Sequence, residues 1–427
     1  MSKNTYRILH FSTSDLHGGA AKAAYRQHNA IRDAGHKSTM IVLDKLSNDP
    51  DVIAVNKQNN IIQYRKIIAR LQLNHSWRNT VDFNPDVPPA YRLNSLLDSI
   101  KDPVDIICIH WITRLLSTKY ISELAKRFKC PIIWMLTDQE PYTGGCHYSY
   151  DCKGYTVQCG QCPQLKSNKA NDRSHKVWQN KSQHLGSLPI TFVSSCSWTS
   201  ERFRESSIFG KHRLEEIGDA LDTTVFKQSD KAVIRDLLHI PKNAKVIFFG
   251  AFSLENQRKG MGYLADALTR ISSERSHVKS DIFLLCAGHN PTSLLKQLPY
   301  PSLSLGYLKD DNNLAAAYQA SDVFVCPSVY EAGAMMVPES MHCGTPVVAF
   351  DTGNAADLIR NMETGYRAIY KDSADLARGI CKILYSENLS AIGAAAYQTA
   401  QQRHTPKVVA AQMTDLFENL INNNKRY

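Results

Sequence analysis

Residues 323–350 read VFVCPSVYEAGAMMVPESMHCGTPVVAF. The segment opens with an apolar run, Val323–Pro327, and closes with another, Pro346–Phe350, and a helix is predicted at Pro338–Cys343 between the two runs. A strand, a helix and a second strand in this order form a crossover unit whose strands lie parallel in one sheet. The segment therefore predicts an α/β fold, in which the loop residues that follow each strand collect at one edge of the sheet.

The same alternation of short apolar runs and amphipathic stretches continues on both sides of this segment. Further strands are predicted at 6–11, 38–43, 104–111, 131–137, 189–196, 246–252 and 282–287, and further helices at 21–34, 117–129, 262–272 and 313–320. Because the alternation starts afresh in the second half, and because 427 residues are too many for one ordinary core, we predict two doubly wound domains, at 1–215 and 216–405. A C-terminal helix over 406–427 is expected to pack back on the N-terminal domain.

The net charge of +10 is divided unevenly between the two halves. Residues 1–220 contain 29 Lys and Arg against 20 Asp and Glu, whereas residues 221–427 contain 21 against 20. A basic half suits an acidic partner, such as nucleic acid, an anionic membrane surface or a phosphorylated substrate, or it serves solubility alone. The composition, 43% hydrophobic and 21% charged, excludes a disordered, collagen-like or coiled-coil chain.

No stretch of about 18 apolar residues is present, and the N-terminus leads into a strand without a signal-peptide core. We therefore expect a cytoplasmic protein whose membrane contact, if any, is peripheral. One stretch, Ile61–Leu73, carries an apolar stripe edged by Arg65, Lys66 and Arg70. Such a helix either lies in a membrane interface or packs on the core with a basic outer side.

Two carboxylates, Glu331 and Glu339, bracket a loop of small residues in the opening segment. Gly333 and Ala334 would let a ligand approach the backbone closely, and a carboxylate beside them can accept hydrogen bonds from the vicinal hydroxyls of a ribose or a hexose. Upstream, Arg258-Lys259 follows the strand at 246–252. Two adjacent cations at the end of a strand suit a diphosphate, which Arg can grip through two parallel hydrogen bonds.

These residues occur in a recognisable order along the second half. The order runs Gly250, Arg258-Lys259-Gly260, Leu305-Gly306-Tyr307, Ala320-Ser-Asp-Val-Phe-Val-Cys-Pro-Ser328, Glu331-x7-Glu339 and Gly344-Thr-Pro-Val-Val-Ala349. Over about 245–370 the chain resembles the donor half of the retaining GT-B glycosyltransferases of family four. The resemblance implies two Rossmann-like domains facing a central cleft, a donor diphosphate held by Arg258 and Lys259, and ribose hydroxyls held by Glu339. It also implies a catalytic contact of Glu331 with the donor hexose and backbone contacts from Gly333, Ala334 and Met335 to sugar or phosphate.

The first half carries matching motifs. Ile109-His110-Trp111-Ile112, followed by Thr137-Asp138 and Thr143-Gly-Gly-Cys-His147, is similar to a surface-polysaccharide subgroup of these transferases. The resemblance implies that the pair Gly18-Gly19 faces the donor phosphate and that His110 and Asp138 are catalytic residues on the acceptor side. Relatives have a His where this chain has Thr137, so the resemblance does not imply a general base at Thr137. In the family the leaving phosphate is thought to take the acceptor proton, which leaves positioning and charge stabilisation to the protein.

One segment breaks the strand and helix alternation. Residues 139–187 are polar, rich in Gly and Cys, and too long for an ordinary connection inside a compact domain. Four thiols, Cys146, Cys152, Cys159 and Cys162, can close a tetrahedral zinc site, with His147 as a substitute ligand. Four thiolates leave no open coordination position, so zinc would be structural and catalysis would require no cofactor. The alternative is free thiols or a redox pair.

The function that these features indicate is a retaining glycosyltransferase, which moves a hexose from a UDP or GDP sugar to a glycan. A lipid-linked acceptor in cell-surface polysaccharide synthesis is expected, with the basic domain on the anionic inner face of the cytoplasmic membrane. Nucleotide-sugar epimerases and phosphorylases share the architecture and stay as alternatives. A third alternative is a zinc-stabilised nucleic-acid-binding protein. Basic and aromatic residues do not interleave in one stripe, however, so no nucleic-acid partner is expected.

Overall fold

The computed structural model describes residues 4–55, 83–89, 91–98, 100–274 and 281–424. The amphipathic stretch predicted at 61–73 lies outside these residues. The chain divides into two compact units. The first comprises the residues up to Ser195, Thr199–Ala220 and the residues from Lys407 onward, and the second comprises Cys196–Trp198 and Leu221–Pro406.

The first unit is built on a parallel sheet of seven strands in the order β3-β2-β1-β4-β5-β6-β7. Its strands are β1 (Arg7–Ser14), β2 (Lys37–Asp44), β3 (Val52–Ala54), β4 (Ile106–Ile109), β5 (Ile132–Met135), β6 (Ile190–Ser194) and β7 (Leu214–Glu216). Because the strands are parallel, their carboxyl ends meet at one edge. The loops that begin after β1, β4 and β5 carry the sequence-predicted residues of this unit.

Helices cover both faces of this sheet, which explains why β1, β4, β5 and β6 are buried along nearly their whole length rather than at alternate residues. The helices are Gly19–Asp33, Leu93–Leu97, Thr118–Phe128, Gly154–Val157, Arg173–Leu185, Ser197–Arg204 and Pro406–Asn424, the last of which begins at the border of the second unit. Phe11, Ile109 and Trp134 lie in the core on one face. On the other face, Met413 and Phe417 of the C-terminal helix join a core cluster with the neighbouring strands.

The segment 139–187, predicted as a long irregular loop, contains regular structure and part of the core. Besides the two helices Gly154–Val157 and Arg173–Leu185, it has 3-10 turns at Glu140–Tyr142 and Pro163–Leu165. Tyr142, Tyr155 and Leu185 are buried in the same cluster as the sheet. The helical pattern of Arg173–Leu185 is weak at the level of sequence because most of its residues are polar, with only a few apolar ones facing the core.

The second unit is built on a parallel sheet of six strands in the order β10-β9-β8-β11-β12-β13. Its strands are β8 (Lys245–Ser253), β9 (Ile282–His289), β10 (Ser302–Ser304), β11 (Val323–Cys326), β12 (Val347–Phe350) and β13 (Gly365–Ala368). The chain order reverses between β8 and β11. In doubly wound sheets the crevice at such a reversal is where ligands bind.

The helices of the second unit are Lys231–Leu237, Met261–Glu274, Thr292–Leu295, Asp311–Gln319, Met336–His342, Asn354–Leu358, Ser373–Leu384 and Leu389–His404. The helix predicted from Pro338 begins two residues earlier, at Met336. Proline is tolerated there because the first N–H groups of a helix have no partner inside it. Glu339 stays in the first turn.

Candidate functional site

The turn after β8 is shaped to hold two cations beside the reversal point. Asn256 caps a 3-10 turn, Gln257–Lys259, by accepting a hydrogen bond from the backbone N–H of Arg258 at 3.0 Å. Gly260 ends the turn at φ 66°, and a Cβ at this position would come within 1.9 Å of the Pro327 carbonyl oxygen. Only glycine therefore lets the turn lie this close to the end of β11.

Arg258, Lys259 and Glu331 form a buried ion cluster. One carboxylate oxygen, Glu331 Oε1, lies 2.8 Å from Arg258 Nη1 and 2.5 Å from Lys259 Nζ. Arg258 Nη1 also donates to the Tyr330 carbonyl oxygen at 2.9 Å. The structure thus brings Glu331 beside the adjacent pair Arg258 and Lys259, of which Lys259 is 72 positions away in sequence, and all three were predicted as donor-site residues.

The ion cluster keeps Glu331 charged. Burial alone would raise the pKa of this carboxyl, but Arg258, Lys259 and a hydrogen bond involving Ser328 lower the pKa to about 2. Glu331 is therefore ionised across the physiological range. An anionic Glu331 can accept hydrogen bonds from hydroxyl groups but cannot donate a proton.

The backbone of the loop after Glu331 is closely packed. Gly353 has φ 53°, and a Cβ on this residue would lie 3.1 Å from Glu331 Cβ and 3.3 Å from the Ala334 nitrogen. Gly333 and Met335 are partly exposed, whereas Ala334 is buried. The loop therefore presents backbone at Gly333 and Met335 with little side-chain cover.

The same loop is packed from its other side by residues Cys196–Trp198, which belong to the second unit. The Cys196 thiol donates to the Ala332 carbonyl oxygen at 3.0 Å, and the rings of Trp198 and Tyr330 meet edge to face at 4.9 Å. These contacts fix the conformation of the residues that flank Glu331.

Glu339 lies in the helix Met336–His342 and is buried. The Tyr318 hydroxyl donates a hydrogen bond to Glu339 Oε2 at 3.4 Å. Burial and the neighbouring Glu339 raise the pKa of Tyr318, so its hydroxyl stays protonated and can only donate to the carboxylate. Tyr318 was not predicted from the sequence as a site residue, because a Tyr in the last turn of an amphipathic helix is indistinguishable there from an ordinary core residue.

In the first unit, the predicted glycine pair opens the helix Gly19–Asp33. Gly18 caps the helix at φ 89°, which requires glycine, and a Cβ added to Gly18 or Gly19 would meet nothing within 4 Å. The space in front of this turn is therefore open.

His110, directly after β4, is paired with a residue that the sequence did not single out. Its Nε2 lies 2.9 Å from Nδ1 of His10 on β1, and the two rings stack at 5.2 Å. Both side chains are buried. A polar residue inside an otherwise apolar strand was the available signal for His10, since burial of a histidine calls for a polar partner.

Asp138, after β5, is held by two contacts. Its Oδ2 accepts from His147 Nδ1 at 2.6 Å, and its Oδ1 accepts from the backbone N–H of Glu140 at 2.8 Å. The Trp111 indole ring is tilted over His147 at 5.5 Å. The structure therefore places His110 and Asp138 on neighbouring strands but gives each a different histidine partner.

All eleven cysteines are free thiols. Within the insertion, burial raises the pKa of Cys159 to about 12, with a smaller contribution from its neighbours Cys152 and Cys162. Burial and the thiols of Cys159, Cys162 and Cys152 likewise raise the pKa of Cys146. The four thiols are thus close enough to affect one another, although the described residues contain no group of three His, Cys, Asp or Glu arranged to hold a metal ion.

Known sequences resemble a large part of the second unit. Residues 243–386 match the family of glycosyl transferases group 1. The phosphatidyl-myo-inositol mannosyltransferase of Mycobacterium leprae is 32% identical over 178 residues, which cover 40% of this chain and 46% of that protein. The alpha-maltose-1-phosphate synthase of Mycolicibacterium smegmatis is 27% identical over 173 residues, 37% of this chain and 42% of that protein. The chain thus spans about half the length of the curated relatives it matches.

Solved structures resemble the whole chain. The sucrose-phosphate synthase of Thermosynechococcus elongatus has a TM-score of 0.69 at 17% identity and covers 98% of this chain and 100% of its own. The Anabaena protein Alr3699/HepE, in complex with UDP-glucose, has a TM-score of 0.66 at 15% identity and covers 97% of this chain and 100% of its own. The predicted fold class is confirmed, and the sequence matches support a transferase enzyme. Residues 243–386 are therefore similar to the glycosyl transferases group 1 family, within a chain that has the two-sheet fold of the GT-B glycosyltransferases.

Proposed function

We propose that the chain is a retaining hexosyltransferase that uses a UDP or GDP sugar as donor. The observation that carries the proposal is the buried cluster of Arg258, Lys259 and Glu331 at the reversal point of the second sheet. Two cations at this edge match the charge of a diphosphate, and a carboxylate fixed beside them can accept hydrogen bonds from a hexose. The neighbour that contains UDP-glucose supports a nucleotide sugar as the donor class.

In this mechanism, the bond between the sugar C1 and the phosphate oxygen breaks, and the acceptor oxygen bonds to C1 on the same face. The acceptor proton passes to the departing phosphate oxygen, so no side chain has to remove it. Arg258 and Lys259 stabilise the negative charge that grows on the diphosphate, while Glu331 positions the hexose and Glu339 the ribose. Backbone groups of Gly333, Ala334 and Met335 complete the donor contacts.

The proposal is tested by titrating the purified chain with UDP, GDP and a panel of their sugars, followed by mass analysis of products. Saturable binding and slow donor hydrolysis are expected, and Glu339→Ala should abolish both. A chain that isomerises the donor sugar without an acceptor would instead be an epimerase. A chain that binds none of these nucleotides would refute the proposal.

We propose further that His110 and Asp138 of the first unit act on the acceptor side of the reaction, that Gly18 and Gly19 face the donor phosphate, and that the acceptor is a lipid-linked glycan. The excess of cations in residues 1–220 supports docking on an anionic membrane surface. Among the described helices, none combines the length and apolarity needed to cross a bilayer. Co-sedimentation with anionic liposomes at about 0.1 M salt is expected, and equal sedimentation with neutral liposomes would contradict the electrostatic proposal.

Cys146, Cys152, Cys159 and Cys162 are proposed to hold structural zinc. Two contacts support this: Cys146 packs against the small buried cluster that contains Cys162, and a Cβ placed on Gly154 would lie 3.5 Å from Cys152 Sγ and 3.8 Å from Cys159 Cα. Zinc would take the thiolate forms and fix the insertion against the sheet without taking part in catalysis. Elemental analysis of purified protein should give one zinc per chain, and Cys159→Ser should lower that ratio. A well-folded sample without zinc would disprove this assignment.

A further inference from the structure

Three histidines meet under the carboxyl edge of the first sheet. His10 on β1, His28 on the helix Gly19–Asp33 and His110 after β4 are all buried. His10 stacks on His110 at 5.2 Å and meets His28 edge to face at 5.8 Å. The only hydrogen bond between these rings joins His10 Nδ1 and His110 Nε2 at 2.9 Å.

The protons in this array can be assigned. Burial lowers the pKa of His110 to about 3, with a further contribution from His28, and burial with both neighbouring histidines lowers the pKa of His10 well below its usual value. Each ring is therefore neutral at physiological pH and carries one N–H. Of the two nitrogens that face each other, one must donate and the other must accept.

The second nitrogen of His10 decides which one donates. His10 Nε2 is buried and has no hydrogen-bond partner. An N–H group without a partner in such a place is costlier than a bare lone pair, because native structures almost never leave a buried donor unpaired. The proton of His10 therefore belongs on Nδ1, from which it donates to His110 Nε2. Neutral His110 then carries its own proton on Nδ1.

We infer that His10 is a positioning residue that fixes His110 as an Nδ1–H hydrogen-bond donor to an oxygen of the substrate. The tautomer follows from the burial and geometry of the two rings and does not depend on the reaction; the identity of the oxygen rests on the proposed transferase function, in which it belongs to the acceptor. His110 Nδ1 makes no hydrogen bond to another described residue, and His110 is 3% exposed.

The inference gives His110 a role opposite to that of a general base. An Nδ1–H group offers a proton to a lone pair and cannot remove a proton from an acceptor hydroxyl. This agrees with a reaction in which the departing phosphate takes that proton. The contribution of His110 is then to hold the acceptor oxygen in place.

The tautomers can be observed directly by NMR of protein labelled with ¹⁵N at histidine, without any substrate. His10 and His110 are assigned by comparison with His10→Phe and His110→Asn. Both rings are expected to show a pyrrole-type Nδ1 and a pyridine-type Nε2, and in His10→Phe the Nε2–H form of His110 should rise at least several-fold. A wild-type His110 with its proton on Nε2 would overturn the inference, whether or not the chain proves to be a transferase.

Substitutions test the donor role. Asn places an amide near the position of His Nδ1, whereas Gln places one near Nε2. His110→Asn is therefore expected to keep at least a tenth of kcat/KM, and His110→Gln and His110→Ala to lose at least 100-fold. Equal loss in the Asn and Ala variants would refute a donor at Nδ1. His36→Gln removes another buried histidine of the same unit, one that bonds Thr414, and controls for the general cost of such a change.

Discussion

Arg258 Nη1 lies 2.8 Å from Glu331 Oε1, and the two side chains are only 11% and 8% exposed. An ion pair this enclosed is costly to form from water and costly to break by removing one partner, because the other charge is then left buried. Glu331 holds both cations that are proposed to bind the diphosphate, because Lys259 Nζ contacts the same carboxylate oxygen. The pairing also couples the donor site to the stability of the second unit.

The first prediction concerns this coupling. The pKa of Glu331, about 2, is depressed from the ordinary value of 4.5, so its ionisation stabilises the fold above about pH 4.5, and this contribution is lost as the pH falls toward 2. A shift of this size corresponds to about 3 kcal/mol. Glu331→Gln should therefore lower the free energy of unfolding by about 3 kcal/mol at pH 7, and the difference from wild type should shrink below pH 4.5.

Urea denaturation of both proteins between pH 7 and pH 3 provides the measurement. Because Gln resembles a protonated Glu, the two proteins should converge at low pH. A difference that stays constant across this range would show that Glu331 does not stabilise the fold through its charge.

The second prediction concerns the two cations. Arg258→Met and Lys259→Met keep most of the side-chain length but remove the charge, and each should raise the KM for the nucleotide sugar by at least 10-fold. Lys242, in the same unit, is exposed and pairs only with Asp236 at 3.5 Å among the described salt bridges, so Lys242→Met is the matched control. An equal change in all three variants would mean that net charge, and not the ion cluster, governs donor affinity.

The third prediction concerns the hydroxyl of Tyr318, which donates to Glu339. Tyr318→Phe should weaken nucleotide binding by about 3- to 10-fold, since a hydrogen bond to a charged group contributes about 1.5 kcal/mol. The loss should be smaller for 2′-deoxy nucleotides, which lack a hydroxyl that Glu339 is proposed to hold.

Tyr300→Phe is the control for this substitution, because the Tyr300 hydroxyl donates to the Leu268 carbonyl oxygen at 3.0 Å, away from Glu339. Isothermal titration calorimetry of Tyr318→Phe and Tyr300→Phe, each with the ribose and the 2′-deoxy nucleotide, measures the affinities to be compared. If ribose and deoxyribose nucleotides lose the same affinity in Tyr318→Phe, the hydroxyl does not act through Glu339.

The sequence was sufficient for β8, β9, β11 and β12 because these strands are apolar and separated by helices with clear periodicity. It did not predict β10 and β13, which are strands of three and four residues at the two edges of the second sheet. The sequence also predicted that Arg258, Lys259 and Glu331 lie at one edge of the sheet, because the loops that follow parallel strands all lie at that edge. The direct ion cluster could not be foreseen, because it depends on side-chain positions within a fraction of an ångström. His10 and Tyr318 were missed because each stands in an apolar stretch, where the pattern indicates only that the position is buried.

The insertion at 139–187 shows a different limit of sequence reasoning. Its polar composition predicts an irregular loop, yet Lys181, only 1% exposed, anchors it from the helix Arg173–Leu185. Lys181 Nζ lies 2.8 Å from Glu140 Oε1 and donates to the backbone carbonyl oxygens of Glu140 and Thr143. Buried lysines are rare, and composition alone gives no reason to expect one.

The fourth prediction follows from this anchor. Lys181→Met leaves the Glu140 carboxylate and two carbonyl oxygens without their cation and should lower the free energy of unfolding by about 3 to 5 kcal/mol. Adding Glu140→Gln should restore part of the lost free energy of unfolding. In the wild-type chain the Asn84 amide donates to Glu140 Oε1 at 3.0 Å, and it can donate equally to the oxygen of a neutral Gln. Urea denaturation of the two single variants and the double variant measures the coupling. Strictly additive losses would show that Lys181 and Glu140 stabilise the insertion independently, and that the ion pair is not what joins the helix Arg173–Leu185 to the turn Glu140–Tyr142.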